Sequence, residues 1–290
     1  MILIYRRKIM KKASFLILMM VLSFSATTQE SIINPPDAWY AFAFEYETGY
    51  TKLLHHTIQF GESGTNFNLI TQGGQEILFP FTRLAADIIL WKRHTLSFLY
   101  QPLTIETETR LFEPVTIDDI TFAADQGLLI KYGFPFWRLT YRYNFIENDR
   151  FTLGAGLALQ LRNASIVFQP QDGTDITVNQ NLGPVPALSF YTRYDFPFGL
   201  FLALEATGLY ASSAFINGAD FEFEGSILDA SLRTGFRLQR GIEAFISTRF
   251  LGGSAKGTSE YETDYWTQGA SGYTSNYLAT LILSLGVRVN

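Results

Sequence analysis

A strict alternation of residue types in the second half of the chain constrains the fold more than any other feature. In residues 151–161 every odd position is apolar, whereas the even positions hold Thr, Gly, Ala and Gln. Because successive side chains of a β-strand point to opposite faces, this segment predicts a strand with one apolar face. The pattern recurs in several further segments of about ten residues, the length with which a tilted strand crosses a bilayer. The repeat predicts an all-β, antiparallel transmembrane barrel.

The connections between these segments alternate between short and long. The short ones have the length of hairpin turns and comprise residues 91–94, 146–149, 196–199 and 239–241. The long ones are rich in Gly, Asp, Asn, Thr and Ser, are predicted as loops, and comprise residues 50–78, 105–126, 165–183, 212–225 and 252–274. Both termini then lie on the short-turn side. We predict an up-and-down β-barrel of about ten strands, with eight or twelve as alternatives.

The ten predicted strands run over residues 39–49, 79–91, 95–105, 128–145, 150–164, 185–196, 200–211, 226–239, 241–251 and 276–289. In the fourth strand the apolar parity flips around Pro135, from even positions before it to odd positions after it. Because Pro cannot donate a backbone hydrogen bond to a neighbouring strand, we predict a β-bulge at this point.

The N-terminus has the order of a secretory signal peptide, with basic residues, an apolar run from Ala13 to Phe24 and then small residues. We expect a cleaved signal peptide over residues 1–26, a short segment over 27–38 and one barrel domain over 39–290. Cleavage changes the formal net charge from −5 to −10, which argues against nucleic acid as a partner. The chain has no Cys, which excludes a lipoprotein anchor and disulfides.

Alternating strands also occur in soluble β-sandwiches, which turn the apolar face to their own core and need a polar outside. Here the second face is poor in Lys and rich in Gly, Thr, Ser and charges of both signs, unlike a solvated surface. Trp39, Trp91 and Trp137 lie near strand ends, where amphipathic rings favour the membrane interface. After the signal peptide no apolar run is long enough for a membrane helix, so we expect the span to consist of strands.

The face opposite the lipid carries charges of both signs. Nearly all its bases are Arg, whose planar guanidinium forms several hydrogen bonds with carboxylates. The predicted lumen charge network comprises Glu45, Asp87, Arg138, Arg142, Arg162, Arg193, Glu205, Asp229, Arg233, Arg237, Glu243 and Arg249. The same face also carries Glu47, Arg83, Asp195 and Arg288.

Two interpretations of this inner face remain open. It is either a salt-bridge network that fills a narrow barrel, or a pore lining in which an excess of Arg selects anions. The network is favoured because ten strands leave little lumen once side chains enter. We expect Arg237 and Glu243 to face each other across one tight turn, and Arg142 and Arg193 to lie at a similar depth.

Catalytic and metal-binding patterns are sparse. The chain has three His: His94 falls in a short turn, and His55 and His56 fall in the first long loop, where we expect solvated side chains. A hydrolase would need one of them beside a Ser, and a metal site would need more His or a close carboxylate cluster. We therefore assign no catalytic residue, no metal and no cofactor.

With these features together, the chain resembles bacterial outer-membrane β-barrel proteins. The segments at residues 73–81, 98–102 and 183–186 are also similar to a family of exported barrel proteins with no assigned activity. The resemblance implies an outer-membrane location, assembly by the barrel-assembly machinery and contact with membrane lipids and lipopolysaccharide, but it carries over no functional residue. Such barrels typically end in an aromatic residue, whereas this chain ends in Asn290.

The expected role is that of a monomeric barrel with a largely filled lumen, which is structural or binds extracellular ligands through its long loops. A narrow passive pore that prefers anions is the first alternative. An outer-membrane hydrolase that modifies lipids is the second.

Overall fold

The computed structural model describes residues 33–35, 38–117, 120–173, 177–212, 223–258 and 273–290. The predicted signal peptide lies outside the described residues, as does most of the segment over 27–38. At positions 162–163, 177–183, 223 and 258 the structure describes the backbone, which belongs to strands, but not the side chains.

The described residues form fifteen strands. In chain order they are β1 (Tyr40–Phe60), β2 (Phe67–Asn68), β3 (Leu78–Leu90), β4 (His94–Gln101), β5 (Thr104–Arg110), β6 (Val115–Ile117), β7 (Ile120–Phe122), β8 (Gly127–Gly133), β9 (Phe136–Glu147), β10 (Phe151–Pro170), β11 (Thr177–Asp195), β12 (Leu200–Ser212), β13 (Phe223–Arg237), β14 (Ile242–Thr258) and β15 (Tyr273–Val289).

Ten of these strands close into one antiparallel barrel, in the order β1, β3, β4, β9, β10, β11, β12, β13, β14 and β15. Closure is made by β15, which pairs with β14 on one side and with β1 on the other. The predicted fold and strand number are therefore confirmed. Within the described residues, no helix is long and apolar enough to cross a membrane.

One end of the barrel carries the short turns between β3 and β4, β9 and β10, β11 and β12, and β13 and β14, and we call it the short-turn end. Its β3–β4 turn is unusual because Trp91 (φ 48°) and Lys92 (φ 64°) both adopt the left-handed conformation. Residues 91–93 connect the paired Leu90 and His94, and two successive left-handed residues in a hairpin turn are normally Asn and Gly. The strand bounds at this end lie within a few residues of the predicted ones.

At the opposite end, which we call the extended end, the strands are much longer than predicted. Strands β10 and β11 have 20 and 19 residues, whereas a tilted strand needs about 9–11 to cross a bilayer. Much of the predicted loops over 50–78, 165–183 and 252–274 is therefore strand. The predicted loop over 105–126 contains β5, β6 and β7. Residues 213–222 and 259–272 lie outside the described residues.

The outer surface changes character along the barrel axis. Over the half next to the short turns it is a band of exposed apolar side chains, such as Leu157 (65 % exposed) and Leu283 (61 %). In β1 this band covers Tyr40 to Tyr50. In β5 and β8, near the extended end, the exposed outer residues are polar, and Glu106 lies opposite Lys131. The apolar band marks the half that spans the membrane.

The predicted bulge at Pro135 is wrong. Ser165 of β10 pairs with Gly133, and Arg162 pairs with Phe136, so the two strands advance together past the proline. Even positions face inward on both sides of it, from Ile130 to Phe136. The apolar parity flips because the apolar face itself changes from the inside of the barrel to the outside.

Inside the extended half lies an apolar core, which we call the apolar plug. The chain between β1 and β3 folds back into the barrel and buries Phe67 and Leu69 completely. The β6–β7 hairpin covers it, and Thr65 N donates to Thr116 O at 2.8 Å. The rest of the plug comes from buried wall residues, chiefly Leu53, Ile58, Phe60, Phe79, Phe81, Leu103, Ile105, Leu128, Ile130, Tyr132, Phe136, Ile166 and Phe168.

Candidate functional site

The inside of the membrane-spanning half holds connected ion pairs, which we call the lumen network. At its centre is Glu47 of β1, which is completely buried. Glu47 Oε1 accepts hydrogen bonds from Arg83 Nη1 at 2.9 Å and from Arg249 Nη2 at 3.1 Å. Glu47 Oε2 accepts from the Ser284 hydroxyl at 2.8 Å, and Arg233 Nη2 lies 3.4 Å from Oε1. An unpaired carboxylate would be very costly at this depth, so the surrounding guanidinium groups are what permit it.

A second carboxylate, Glu45, joins strands that are not neighbours. Its Oε1 accepts from Arg83 Nη1 at 2.5 Å and its Oε2 from Arg233 Nη1 at 2.9 Å. Arg233 Nη2 also donates to Glu205 Oε2 at 3.0 Å. These bonds run from β1 to β13 and on to β12, and they connect the walls through the lumen.

A third carboxylate, Asp229 of β13, connects arginines from two further strands. Its two oxygens accept from Arg249 Nη1 at 2.6 Å and from Arg138 Nη1 at 2.8 Å. Arg138 reaches across from β9, and its Nε and Nη2 both donate to Gln160 Oε1, at 3.0 and 2.7 Å. With Asp229 between them, β9 and β14 are tied together although several strands separate them in the barrel.

Nearer the short-turn end, the network forms smaller groups. Arg193 donates to both oxygens of Asp195, at 2.8 Å each, and to both oxygens of Glu243, at 2.8 and 2.9 Å. Arg288 Nη1 lies 2.7 Å from Asp87 Oδ2. Such bidentate hydrogen bonding to a carboxylate suits the planar guanidinium of Arg and not the ammonium of Lys.

Three of the predicted members differ from the expected pairing or have no described carboxylate contact. Arg237 is opposite Glu243 in register, yet its Nε lies 3.5 Å from Asp195, and Glu243 binds Arg193 instead. Arg142 has no carboxylate within 4 Å among the described residues. Arg162 belongs to β10, and its side chain lies outside the description.

Neutral hydrogen-bonding partners are the part of the site that charge patterns do not reveal. Gln160 accepts both bonds of Arg138, Ser284 donates to Glu47, and Asn144 Oδ1 accepts from Arg142 Nε at 3.1 Å. All three occupy inward positions, so the alternation along the strands is the sequence signal that could have identified them.

Solvent access decreases along the network. Side-chain exposure falls from 19 % at Arg288 to 4 % at Arg83 and 0 % at Glu47. A small cavity of about 60 Å³ remains beside the more exposed groups, between Asp87, Arg142, Tyr191 and their neighbours. We call this cavity the vestibule. From the vestibule toward the extended end, first the lumen network and then the apolar plug fill the cross-section of the barrel.

A buried histidine lies at the boundary of the plug, beyond the membrane-spanning part of β1. The prediction that His56 is a solvated loop residue is wrong, because β1 continues to Phe60 and a bulge at Leu53/His55 turns His56 inward. Its Nδ1 is hydrogen-bonded to Gln75 Oε1 at 2.6 Å, and its ring packs edge-on against Tyr132. Burial lowers the pKa of His56 to about 4, with a smaller contribution from the neighbouring His55.

None of the three histidines is hydrogen-bonded to a serine in the part of the chain that the structure describes. His55 Nε2 lies 3.3 Å from Thr57 Oγ1, and His94 Nδ1 lies 2.8 Å from the Tyr141 hydroxyl. His94 opens β4 rather than lying in the turn itself. Over the same residues, no group of three or more His, Asp or Glu has metal-binding geometry.

Comparison with known proteins finds similarity only among solved structures. No protein-family model and no curated protein matches the sequence. The outer membrane protease OmpT from Escherichia coli is similar over 86 % of this chain and 96 % of its own, with 8 % identity and a TM-score of 0.49. The chain is also similar to the transport unit of the Escherichia coli autotransporter AIDA-I, over 89 % of this chain and 93 % of that one, with 7 % identity and a TM-score of 0.39. A Pseudomonas aeruginosa FadL homologue is similar over 86 % of this chain and 90 % of its own, with 8 % identity and a TM-score of 0.35. The closed strand pairing by itself shows an antiparallel ten-stranded β-barrel.

Proposed function

We propose that this protein is an integral outer-membrane barrel that conducts no ions and serves as a scaffold for the extended end at the cell surface. In this arrangement the short turns face the periplasm and the long strands rise beyond the membrane. The apolar outer band supports the membrane location, and its confinement to one half of the barrel supports the orientation.

The observation that carries the proposal is the presence of two seals in series. The lumen network crosses the barrel at the level of the membrane, and the apolar plug fills the extended half. An ion passing through would have to break several buried Arg–carboxylate pairs and then enter a region filled chiefly by apolar side chains. Either step alone opposes conduction.

The partners in this proposal follow from the location. Membrane lipids and lipopolysaccharide contact the apolar band, the barrel-assembly machinery inserts the chain, and the signal peptide directs its export. The barrel acts as a monomer, and an extracellular ligand binds at the extended end.

Recording from planar bilayers tests the closed lumen. Protein that is purified in detergent, and whose folding is verified by heat-modifiable migration on gels, should produce no stable current steps at 100 mV or below. A reproducible current that prefers anions, and that Arg233→Ala abolishes, would replace this proposal with the pore. The specific feature that favours the pore is the lining of the vestibule, where Arg side chains outnumber carboxylates and Arg142 has no carboxylate partner among the described residues.

A further inference from the structure

The vestibule is lined by more Arg side chains than carboxylates, although Glu47, Asp195 and Asp229, which lie outside its lining, neutralise three of these arginines. Among the described residues, six Arg side chains line it against four carboxylates, namely Glu45, Asp87, Glu205 and Glu243. Five of the six arginines are hydrogen-bonded to carboxylates of the lumen network. The sixth, Arg142, is not.

Arg142 is nevertheless held firmly. Its guanidinium carbon lies 4.0 Å from the centre of the Tyr191 ring, over the ring face, and its Nε donates to Asn144 Oδ1. Asn144 is fixed in turn, because its Nδ2 donates to Glu147 Oε2 at 2.8 Å. Stacking and a single Nε bond orient the guanidinium and leave its two terminal NH₂ groups, the planar fork that binds oxyanions, without a carboxylate.

The neighbouring strand provides the space for this arrangement. Arg142 lies opposite Gly156 of β10, and Asn144 lies opposite Gly154. A Cβ on Gly154 would come within 2.5 Å of Asn144 Oδ1 and 3.2 Å of Arg142 Cδ. A larger residue at that position would therefore displace both side chains.

We propose that the vestibule binds a small oxyanion with two coplanar oxygens, a carboxylate or a phosphate, through the guanidinium of Arg142. The cavity of about 60 Å³ corresponds to about four to six water positions, which a single small oxyanion would replace. Asp87 makes its direct contacts with Arg288 and the Ser97 hydroxyl rather than with Arg142. The site opens at the short-turn end, where exposure of the network is greatest, and the lumen network closes it on the other side. The proposal rests on the vestibule alone, so a conducting lumen would refute the closed scaffold without refuting this site.

Titration of the full chain in detergent with sodium phosphate, and separately with sodium acetate, tests the site by isothermal calorimetry. Sodium chloride at equal ionic strength provides the reference. Saturable heat with phosphate, with acetate or with both supports the site and identifies its oxyanion class. Heat that does not differ from the chloride reference for either anion overturns it.

Two substitutions assign the binding to Arg142. Arg142→Gln should raise the Kd for the bound anion at least tenfold, whereas Arg150→Gln, which removes one positive charge from an exposed turn at the same end, should change it less than twofold. Tyr191→Leu removes the ring on which the guanidinium lies and should raise the Kd several-fold with Arg142 still present. Equal effects of Arg142→Gln and Arg150→Gln would show that only the general charge matters and would overturn the assignment. If Arg142→Gln does not fold, an unchanged Kd in Tyr191→Leu overturns it instead.

Discussion

The two halves of this barrel use the same alternation in opposite senses. In the membrane-spanning half the outward side chains are apolar, as at Leu157, and the inward ones are ionic, as at Glu47. In the extended half the inward side chains are apolar, as at Phe168, and the outward ones are polar, as at Glu106. The backbone pairing is continuous between them. The medium outside the wall therefore decides which face is apolar, since lipid requires an apolar exterior and water does not.

The comparison also separates two ways of filling a lumen. Where the wall is apolar on the outside, the interior is held by charge pairs whose stability depends on every partner being present. Where the wall is polar on the outside, the interior is an ordinary hydrophobic core with a folded-back chain segment as its centre. The first kind of interior is sensitive to the loss of a charge and the second to the loss of volume.

The largest expected effect comes from removing the central charge of the lumen network. Glu47→Gln keeps the shape and the contact with Ser284 but leaves Arg83, Arg233 and Arg249 with one fewer carboxylate. We expect the free energy of unfolding to fall by about 3–5 kcal/mol, measured by denaturant unfolding in detergent. Glu106→Gln on the exposed outer face of β5 should change it by about 0.5 kcal/mol or less. Equal losses in the two variants would contradict the distinction between the halves.

A smaller effect should come from placing a charge on the outer wall. Leu157→Arg puts a guanidinium on the lipid-facing side of β10 and should cost about 2–4 kcal/mol in a bilayer. Thr104→Arg, at an exposed position of β5 in the extended half, should be close to neutral. Unfolding in lipid vesicles measures both. If Thr104→Arg is as costly as Leu157→Arg, the apolar band extends further along the barrel than the exposure pattern indicates.

The barrel and its strand count follow from the sequence because parity and short turns are local signals. Strand β12, for example, was expected over 200–211 and runs over Leu200–Ser212. The extended ends were missed because their outward residues are the Gly, Ser and Thr that also mark loops, as in the last residues of β14, 252–258. Composition alone does not separate a polar outer strand face from a loop.

The same parity predicts which residues face the lumen, but it does not predict which of these residues form ion pairs with each other. Glu45 and Arg233 are 188 residues apart and meet only because the barrel closes. Arg237 and Glu243 are neighbours across a turn, and each has a different nearest partner. His56 was misplaced because one bulge in β1 reverses the parity beyond it. Contacts across a lumen depend on the closed shape, which no local pattern contains.

The most gradual effect, which reaches its full size only over several pH units, concerns a titratable group in the extended half. His56 is buried and neutral, and its pKa of about 4 lies below the unfolded value of 6.5. Between these two values the unfolded chain binds a proton that the folded chain does not. The free energy of unfolding should therefore fall as pH decreases from 6.5 to 4, by roughly 3 kcal/mol in all, and this contribution should level off below pH 4.

The comparison of wild type with His56→Gln isolates this contribution, because acid also destabilises the protein through its paired carboxylates. The difference in unfolding free energy between the two proteins should shrink by up to about 3 kcal/mol on going from pH 7 to pH 4. His94→Gln, at a half-buried position on the outer wall near the short-turn end, provides the matched control for the loss of an imidazole. If His56→Gln and wild type lose stability in parallel over this range, His56 is accessible to protons in the folded barrel. The extended half would then lack the dry interior that distinguishes it from the vestibule at the other end.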